Sequence, residues 1–436
     1  MKNFIKKQIT DIKSGGILSL NNKIVILIVY FLKSPIYLIS LIILFIIRCF
    51  KSIILIRINK IPTFNFGDLI CFNALYISKK KLEIDQPNKV FFDLFYIDSK
   101  IKVSNLRMLE IWKKKMRIFP SFILKPIDEL NKIIPGGSLH SIEILDVKRE
   151  NDINNLFEKF QAIEFSESEK LEGEDFLQKI GIKNNKFVCF MIRDDSYNEL
   201  KKFSKDQTYD YHSYRNFELD DFCLAAEELT KRGYYVVRYG YKASKKFKTS
   251  NPKIIDYPFS KYKSEFADIY LGARCSFCIS TGYGPDMLPY VFNKPIGLIA
   301  LPLGDLRCHS ERIYLLTKSH LLKKENRKLS LKEIFKYDLA YAYETQKYEE
   351  KGVILENFSK NEIKDFVLDF CDLVESKKNW SEEDINLQKK FQKVFELEIN
   401  NSNYHQKVKK PYFKLHGKVR SYFSSNFLKK NPYWLN

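Results

Sequence analysis

Proline and glycine are scarce, 30 of 436 residues between them. That scarcity excludes a collagenous, linker-like or low-complexity chain. Cysteines are few for the length, eight in all, scattered and mostly set in apolar runs. This is not the dense framework of a small disulfide-stapled domain, and a reducing compartment is the simpler expectation. No repeat of fixed period is present. Hydrophobic residues make up 45% and aromatics 15%, so the chain can bury a large core, and its length exceeds what one core usually covers. Two domains, with an appendage, are expected.

Acid is also in short supply: 53 Asp and Glu face 73 Lys and Arg, a formal charge of +20. Such a balance points to an anionic partner, whether nucleic acid, lipid headgroup or phosphorylated substrate. Lysine is inflated along with Ile and Asn, as a codon preference would do, so arginine is the more informative cation. Seven of the 14 arginines (Arg193, Arg215, Arg232, Arg238, Arg274, Arg307, Arg312) fall between 193 and 312. Guanidinium binds phosphate and carboxylate as a bidentate fork, and this concentration predicts an anion site in that region.

Residues 24–47 form a 24-residue apolar run with a single charge, Lys33, beside Pro35. The two halves are too short to cross a bilayer individually, which leaves a kinked span, a re-entrant pair or an interfacial segment open. A cleaved signal peptide does not fit the length and position. Residues 1–60 hold ten Lys or Arg and one acid. Basic flanks on both sides favour attachment from the cytoplasmic face of the membrane without crossing.

After the run, β-branched segments alternate with helical patterns. Residues 1–50 read as a membrane-associating segment, 51–165 as a first α/β domain, 166–375 as a second, and 376–436 as a helical, basic-aromatic tail. In the second domain the expected strands are FVCFMIR from Phe187, YYVVRYG from Tyr234, a short Ile254–Asp256, CSFCIS from Cys275 and PIGLIAL from Pro295. Helices are expected at Glu218–Arg232, Glu265–Ala273 and Asp286–Asn293. Strands and helices at this spacing predict a doubly wound parallel sheet with ligands at the carboxyl ends of its strands.

The strongest local feature is Ser280-Thr281-Gly282-Tyr283-Gly284-Pro285-Asp286, leaving a strand and entering a helix. Glycine admits a close backbone approach, the hydroxyls donate, and the helix start offers free N–H groups to a diphosphate. Equally, Asp286 could merely cap the helix. This segment, continuing through Asn293-Lys294-Pro295, resembles the donor-binding motif of heptosyltransferase-like glycosyltransferases of the GT-B fold. It departs at Asp286-Met287, where heptosyltransferases carry Met-His, so their choice of nucleotide sugar does not transfer. Ile54–Arg57 followed by Phe66-Gly67-Asp68-Leu69 is similar to the opening strand and Gly-Asp loop of those enzymes, in which the aspartate is a candidate base. Arg193-Asp194, Tyr211–Asn216 with His212 and Arg215, Arg238, and the tail Ser425–Pro432 are similar to a family of bacterial surface-polysaccharide glycosyltransferases.

The resemblance implies a GT-B architecture of two Rossmann-like domains, and a nucleotide sugar as co-substrate with no other cofactor. Arg193, Asp194, Arg215, Asn216, Arg238, Ser280, Thr281, Gly282, Gly284, Pro285 and Asp286 would form the donor site, with Asp68 and His212 catalytic and the acceptor a lipid-linked or surface-polysaccharide glycan. The residue types suit that chemistry independently. A departing diphosphate needs cations and hydroxyls, and an acceptor hydroxyl needs a base, here Asp68, for direct inverting displacement. The bland alternatives stay open at this stage: arginines paired with nearby Asp194, Glu218 or Asp220, Asp68 as a helix cap, His212 as a structural residue between tyrosines. No Asp-x-Asp occurs anywhere, which predicts metal independence, and Cys275 and Cys278 would face opposite sides of a strand, so no metal site is expected there. A basic nucleic-acid-binding protein and a non-catalytic membrane scaffold are the rival classes. The basic-aromatic tail suits a lipid surface over nucleic acid, or a helix returning onto the first domain.

Overall fold

A computed structural model describes residues 35–142, 152–193, 210–243, 245–282, 284–401 and 418–436, with the side chains of residues 210–212 and 305 excepted. Residues 24–34 of the apolar run therefore lie outside the described residues. The chain separates into two compact units, both discontinuous in sequence. The first takes the described residues up to Ile61, then Pro87–Ile101 and residues 116–142; the second takes Pro62–Gln86, Lys102–Lys115 and the remainder.

The first unit is built on a parallel sheet of β1 (Leu55–Lys60), β2 (Phe91–Tyr96) and β3 (Ile118–Phe119), in that order. One face is covered by α1 (residues 35–49), the described half of the apolar run, and by α4 (Ser121–Ile133). Leu44 and Ile47 of α1 bury themselves with Ile58, Tyr96, Leu124 and Ile127. A buried bidentate pair, Arg57 Nε to Asp93 Oδ1 at 2.7 Å and Nη2 to Oδ2 at 3.0 Å, ties β1 to β2.

The second unit contains α2 (Phe66–Lys81), α3 (Leu106–Lys113), the capped α5 (Glu167–Lys179) and a seven-stranded sheet. Its strands are β4 (Phe187–Met191), β5 (Tyr235–Arg238), β6 (Ile254–Asp256), β7 (Phe277–Ser280), β8 (Ile296–Ile299), β9 (Ile313–Leu316) and β13 (Tyr422–Phe423). Their order is β13-β9-β8-β7-β4-β5-β6, all parallel. Every residue of β4, β7, β8 and β9 is buried, the continuous apolar signature of strands covered on both faces. Helices α6 (Cys223–Lys231), α7 (Glu265–Arg274), α8 (Met287–Val291), α9 (Lys360–Val374) and α10 (Glu382–Asn401) complete the layers with α11 (Ser425–Lys430). Ser166, Ser264 and Ser359 cap α5, α7 and α9 by accepting backbone N–H bonds, as residues of this type do at helix starts. A separate antiparallel sheet of β10 (Ser319–Leu322), β11 (Arg327–Lys328) and β12 (Val353–Glu356) was not foreseen from the pattern.

The α/β class with parallel sheets is as expected. The tail is not a free lipid-facing element in its described part. Residues 418–436 return to the large sheet as its edge strand, and Phe423, Phe427 and Trp434 are buried. Phe391 of α10 lies 4.9 Å from the Phe423 ring and 6.4 Å from Trp434. Aromatic area is worth more buried against aromatic area than left at a polar surface.

Candidate active site

Strand order locates the site. From β4 the chain adds β5 and β6 on one side, then returns to lay β7 against the other side of β4 and continues through β8 to β9. The direction of strand addition reverses between β4 and β7, the position at which parallel sheets of this kind bind ligands beyond their carboxyl ends. At that reversal Met191 pairs with Ser280. The backbone N–H of Arg193 donates to Thr281 Oγ1 at 2.8 Å, and the Thr281 N–H to the Met191 carbonyl at 3.1 Å. Thr281 is 1% exposed. Its hydroxyl is a stitch between the two strand ends.

Two arginines converge on the same point. Arg193 Nε donates to Asn216 Oδ1 at 3.4 Å, and the Arg215 guanidinium donates to the Gly282 carbonyl. Both side chains are half-buried. Arg193, Arg215, Asn216, Thr281 and Gly282, distant in sequence, are thus one hydrogen-bonded cluster. Gly282 has φ +73°, and a Cβ there would stand 3.1 Å from that of Ala300, so glycine alone fits without strain. Gly284 is exposed and Pro285 buried.

Beneath the loop sits its anchor. Asp286 is fully buried; its Oδ2 accepts from Ser280 Oγ at 2.6 Å and from Arg307 Nη2 at 2.6 Å. Burial opposes the Arg307 charge, but the Asp286 carboxylate overrides it and holds the guanidinium above its ordinary value. Ser280 also accepts the N–H of Gly282 at 3.1 Å. Ser280 and Asp286 accordingly shape the loop from inside and present no surface to a ligand.

Asp68 is half-buried in the first turn of α2, with Asn65 Nδ2 donating to its Oδ2 at 2.9 Å. The turn that carries it presses on the loop at Gly284. A Cβ on Gly67 would lie 2.8 Å from the Gly284 carbonyl oxygen and 3.3 Å from the Gly284 Cα, closer than Cβ contacts run, so glycine is needed for this approach. Trp112 Nε1 on α3 donates to the Leu69 carbonyl at 2.8 Å and fixes the start of α2 from the other side.

Arg238 ends β5, in register with Phe190 of β4; 3% exposed, it pairs with Asp256 at 3.3 Å and donates to the Lys245 carbonyl. Asp194 lies outside the described residues, as does the side chain of His212, whose backbone falls in the 3-10 turn Asp210–Arg215. Cys275 and Cys278 are buried. A cleft of about 490 Å³ opens at the opposite ends of the strands, by Ser276, Pro295 and Arg312. It holds none of the candidate residues.

Two supporting residues had no assigned role in the sequence. Arg307 belonged to the arginine concentration but its partner was not apparent. Lys318 is 5% exposed, and its Nζ donates to the Asn216 carbonyl at 2.9 Å and the Tyr214 carbonyl at 3.2 Å, with the Phe217 ring 4.3 Å away. Burial pushes its ammonium down to about 8. It holds the segment that presents Arg215 and Asn216. The signal available was a lone charge in the otherwise uncharged stretch Ile313–Leu322.

No known family model matches the chain, and no curated protein sequence matches it. Among solved structures it is similar to a family 9 glycosyl transferase from Veillonella parvula (11% identity, TM-score 0.38, covering 72% of this chain and 97% of that one). It is also similar to the ADP-heptose lipopolysaccharide heptosyltransferase II of E. coli (11%, 0.35, 60% and 90%). A third likeness is to an E. coli heptosyltransferase with ADP-2-deoxy-2-fluoro heptose (11%, 0.26, 60% and 93%). Likeness at this level assigns no activity.

Proposed function

We propose that the protein is a GT-B-type glycosyltransferase that moves a sugar from a nucleotide-sugar donor to a hydroxyl of a lipid-linked or surface-polysaccharide glycan. The observation that carries this reading is the cluster at the β4/β7 reversal, where the half-buried Arg215 guanidinium donates to the Gly282 carbonyl, half-buried Arg193 donates to Asn216, and the Gly67-Asp68 turn comes up against Gly284. This supports a reading in which the cations meet a departing diphosphate and the Asp68 carboxylate meets an attacking hydroxyl. In the reaction the acceptor oxygen attacks the anomeric carbon while Asp68 takes its proton. The bond from that carbon to the phosphate oxygen breaks, and the nucleoside diphosphate leaves with the electron pair. Arg193 and Arg215 offset the charge that develops on it, without calling on a metal. One displacement gives inversion.

Calorimetry of the full chain against UDP-, GDP-, ADP-, dTDP- and CMP-linked sugars, with single-stranded nucleic acid as the control, tests the class. Saturable binding of one nucleotide sugar is expected. Arg193→Ala and Arg215→Ala should each weaken it by roughly 1.5 to 3 kcal/mol, the range for a hydrogen bond to a charged group. Asp68→Asn should leave donor affinity intact and lower turnover by about 10²–10⁴-fold, as loss of a general base does. Binding of nucleic acid alone, lost steeply with salt, would overturn the reading in favour of a nucleic-acid-binding protein.

A further inference from the structure

Helix α1 has two unlike sides. Ser40, Leu44 and Ile47, spaced i, i+4, i+7, are 3%, 2% and 8% exposed and face the core of the first unit. On the opposite side Leu38, Ile39, Ile42, Phe45 and Ile46 are between 49% and 69% exposed. No charged residue occurs from Pro35 to Ile47. An exposed stripe this apolar on a folded unit calls for an occupant. On α4, Phe122 at 69% and Ile133 at 78% are also exposed.

The ends of α1 are fastened. The Tyr37 hydroxyl donates to Glu129 of α4. Arg48 donates to Asn131 Oδ1 at 2.8 Å and to the Pro135 carbonyl at 2.8 Å. By length and composition Pro35–Ser52 could cross a membrane, but Leu44 and Ile47 are packed into the first unit. The helix cannot stand across a bilayer without tearing its inner face from the unit's core.

We propose that this face of the first unit lies in the plane of a bilayer interface, with the outer stripe of α1 seated among lipid headgroups and upper acyl chains. Charge complementarity selects a lipid surface over a protein groove. Residues 35–60 contain four cations, Arg48, Lys51, Arg57 and Lys60, and no acid. Just past the helix, exposed Phe50, Ile53 and Val90 alternate with exposed Lys51 and Lys89, the mixture of apolar anchors and cations that suits anionic headgroups. The chain before α1 agrees: residues 24–32 are nine apolar residues, and residues 1–23 carry five lysines against Asp11. The inference stands independently of the transfer chemistry.

The test is flotation of the full chain with vesicles of phosphatidylethanolamine and phosphatidylglycerol, compared with phosphatidylcholine alone. Wild type should float with the anionic vesicles. The double variant Ile42→Asp, Phe45→Asp, which alters two exposed positions, should keep its melting temperature and lose partitioning by about tenfold or more. Unchanged flotation of that variant would assign attachment to residues 24–32 and overturn the proposal. Wild type that ignores vesicles and forms a dimer disrupted by the same substitutions would overturn it in favour of a second copy. In Phe45→Trp, fluorescence should be quenched more by lipids brominated near the headgroup than by lipids brominated at the chain ends, and the reverse order would mean a span.

Discussion

Single residues here divide into those that can meet a ligand and those that hold the first group in place. Arg193 and Arg215 are half-buried and donate to the Asn216 side chain and to the Gly282 carbonyl, whereas Asp286 and Arg307 form a buried ion pair. A buried pair is costly to break from one side, because the remaining charge has no solvent to return to. Arg307→Met should therefore destabilise the protein by about 3–5 kcal/mol in urea unfolding, and adding Asp286→Leu should recover much of the loss. Lys318 offers a pH test. Its folded value, about 8, lies below that of an unfolded lysine near 10.4. Between those values the unfolded state binds a proton that the folded state does not, so Lys318 makes stability rise with pH across that window; as pH falls towards 8, that gain is lost. Removing it in Lys318→Met should reduce the slope of unfolding free energy between pH 8 and 10 by up to about 1.4 kcal/mol per pH unit relative to wild type, measured by denaturant titration.

At the level of elements, the site depends on two turns touching. The start of α2 and the loop between β7 and α8 meet through glycine backbone, Gly67 against Gly284, and α2 also packs on α8. A methyl group cannot be placed at Gly67 without moving the carbonyl of Gly284, so Gly67→Ala is expected to displace one turn from the other. The measurable outcome is a fall in turnover of at least about tenfold, the scale expected when reacting groups are misplaced by a fraction of an ångström to an ångström, with circular dichroism unchanged. Turnover equal to wild type would mean the two turns do not cooperate in the reaction.

For the whole molecule, the two units differ in how they treat apolar surface. The large sheet is closed at one edge by a segment more than a hundred residues further along the chain: β13 pairs with β9, and the Trp434 side chain is 2% exposed beside Phe391, Phe423 and Phe427. Loss of that cluster leaves a cavity and opens an edge strand. Trp434→Ala should cost about 3–5 kcal/mol and lower the thermal midpoint accordingly; an unchanged midpoint in calorimetry would show that the tail is docked without contributing to stability. The first unit instead keeps an apolar face outward on α1, the face for which a bilayer interface is proposed.

Local chemistry settled much of this protein in advance. Short continuous apolar runs such as FVCFM and FCIS, of strand length and rich in β-branched and aromatic residues, favour strands covered on both faces, and β4 and β7 lie where those runs lie. The helix expected at Glu265–Ala273 is α7, Glu265–Arg274, and the Ser280–Asp286 loop was visible as glycine and hydroxyl residues between a strand and a helix. What the sequence could not contain is which strand lies beside which. Only the pairing of β4 with β7 turns Arg193 and Thr281 into neighbours, and only the same tertiary packing commits Arg238 to Asp256, Asp286 to Arg307 and the tail aromatics to the core. Those contacts join residues from about 18 to more than a hundred positions apart. Secondary structure follows from the spacing of side chains along a few turns of backbone, whereas a site at a strand-order reversal exists only once distant segments have been brought together, and its residues acquire their roles from partners that chain order does not specify.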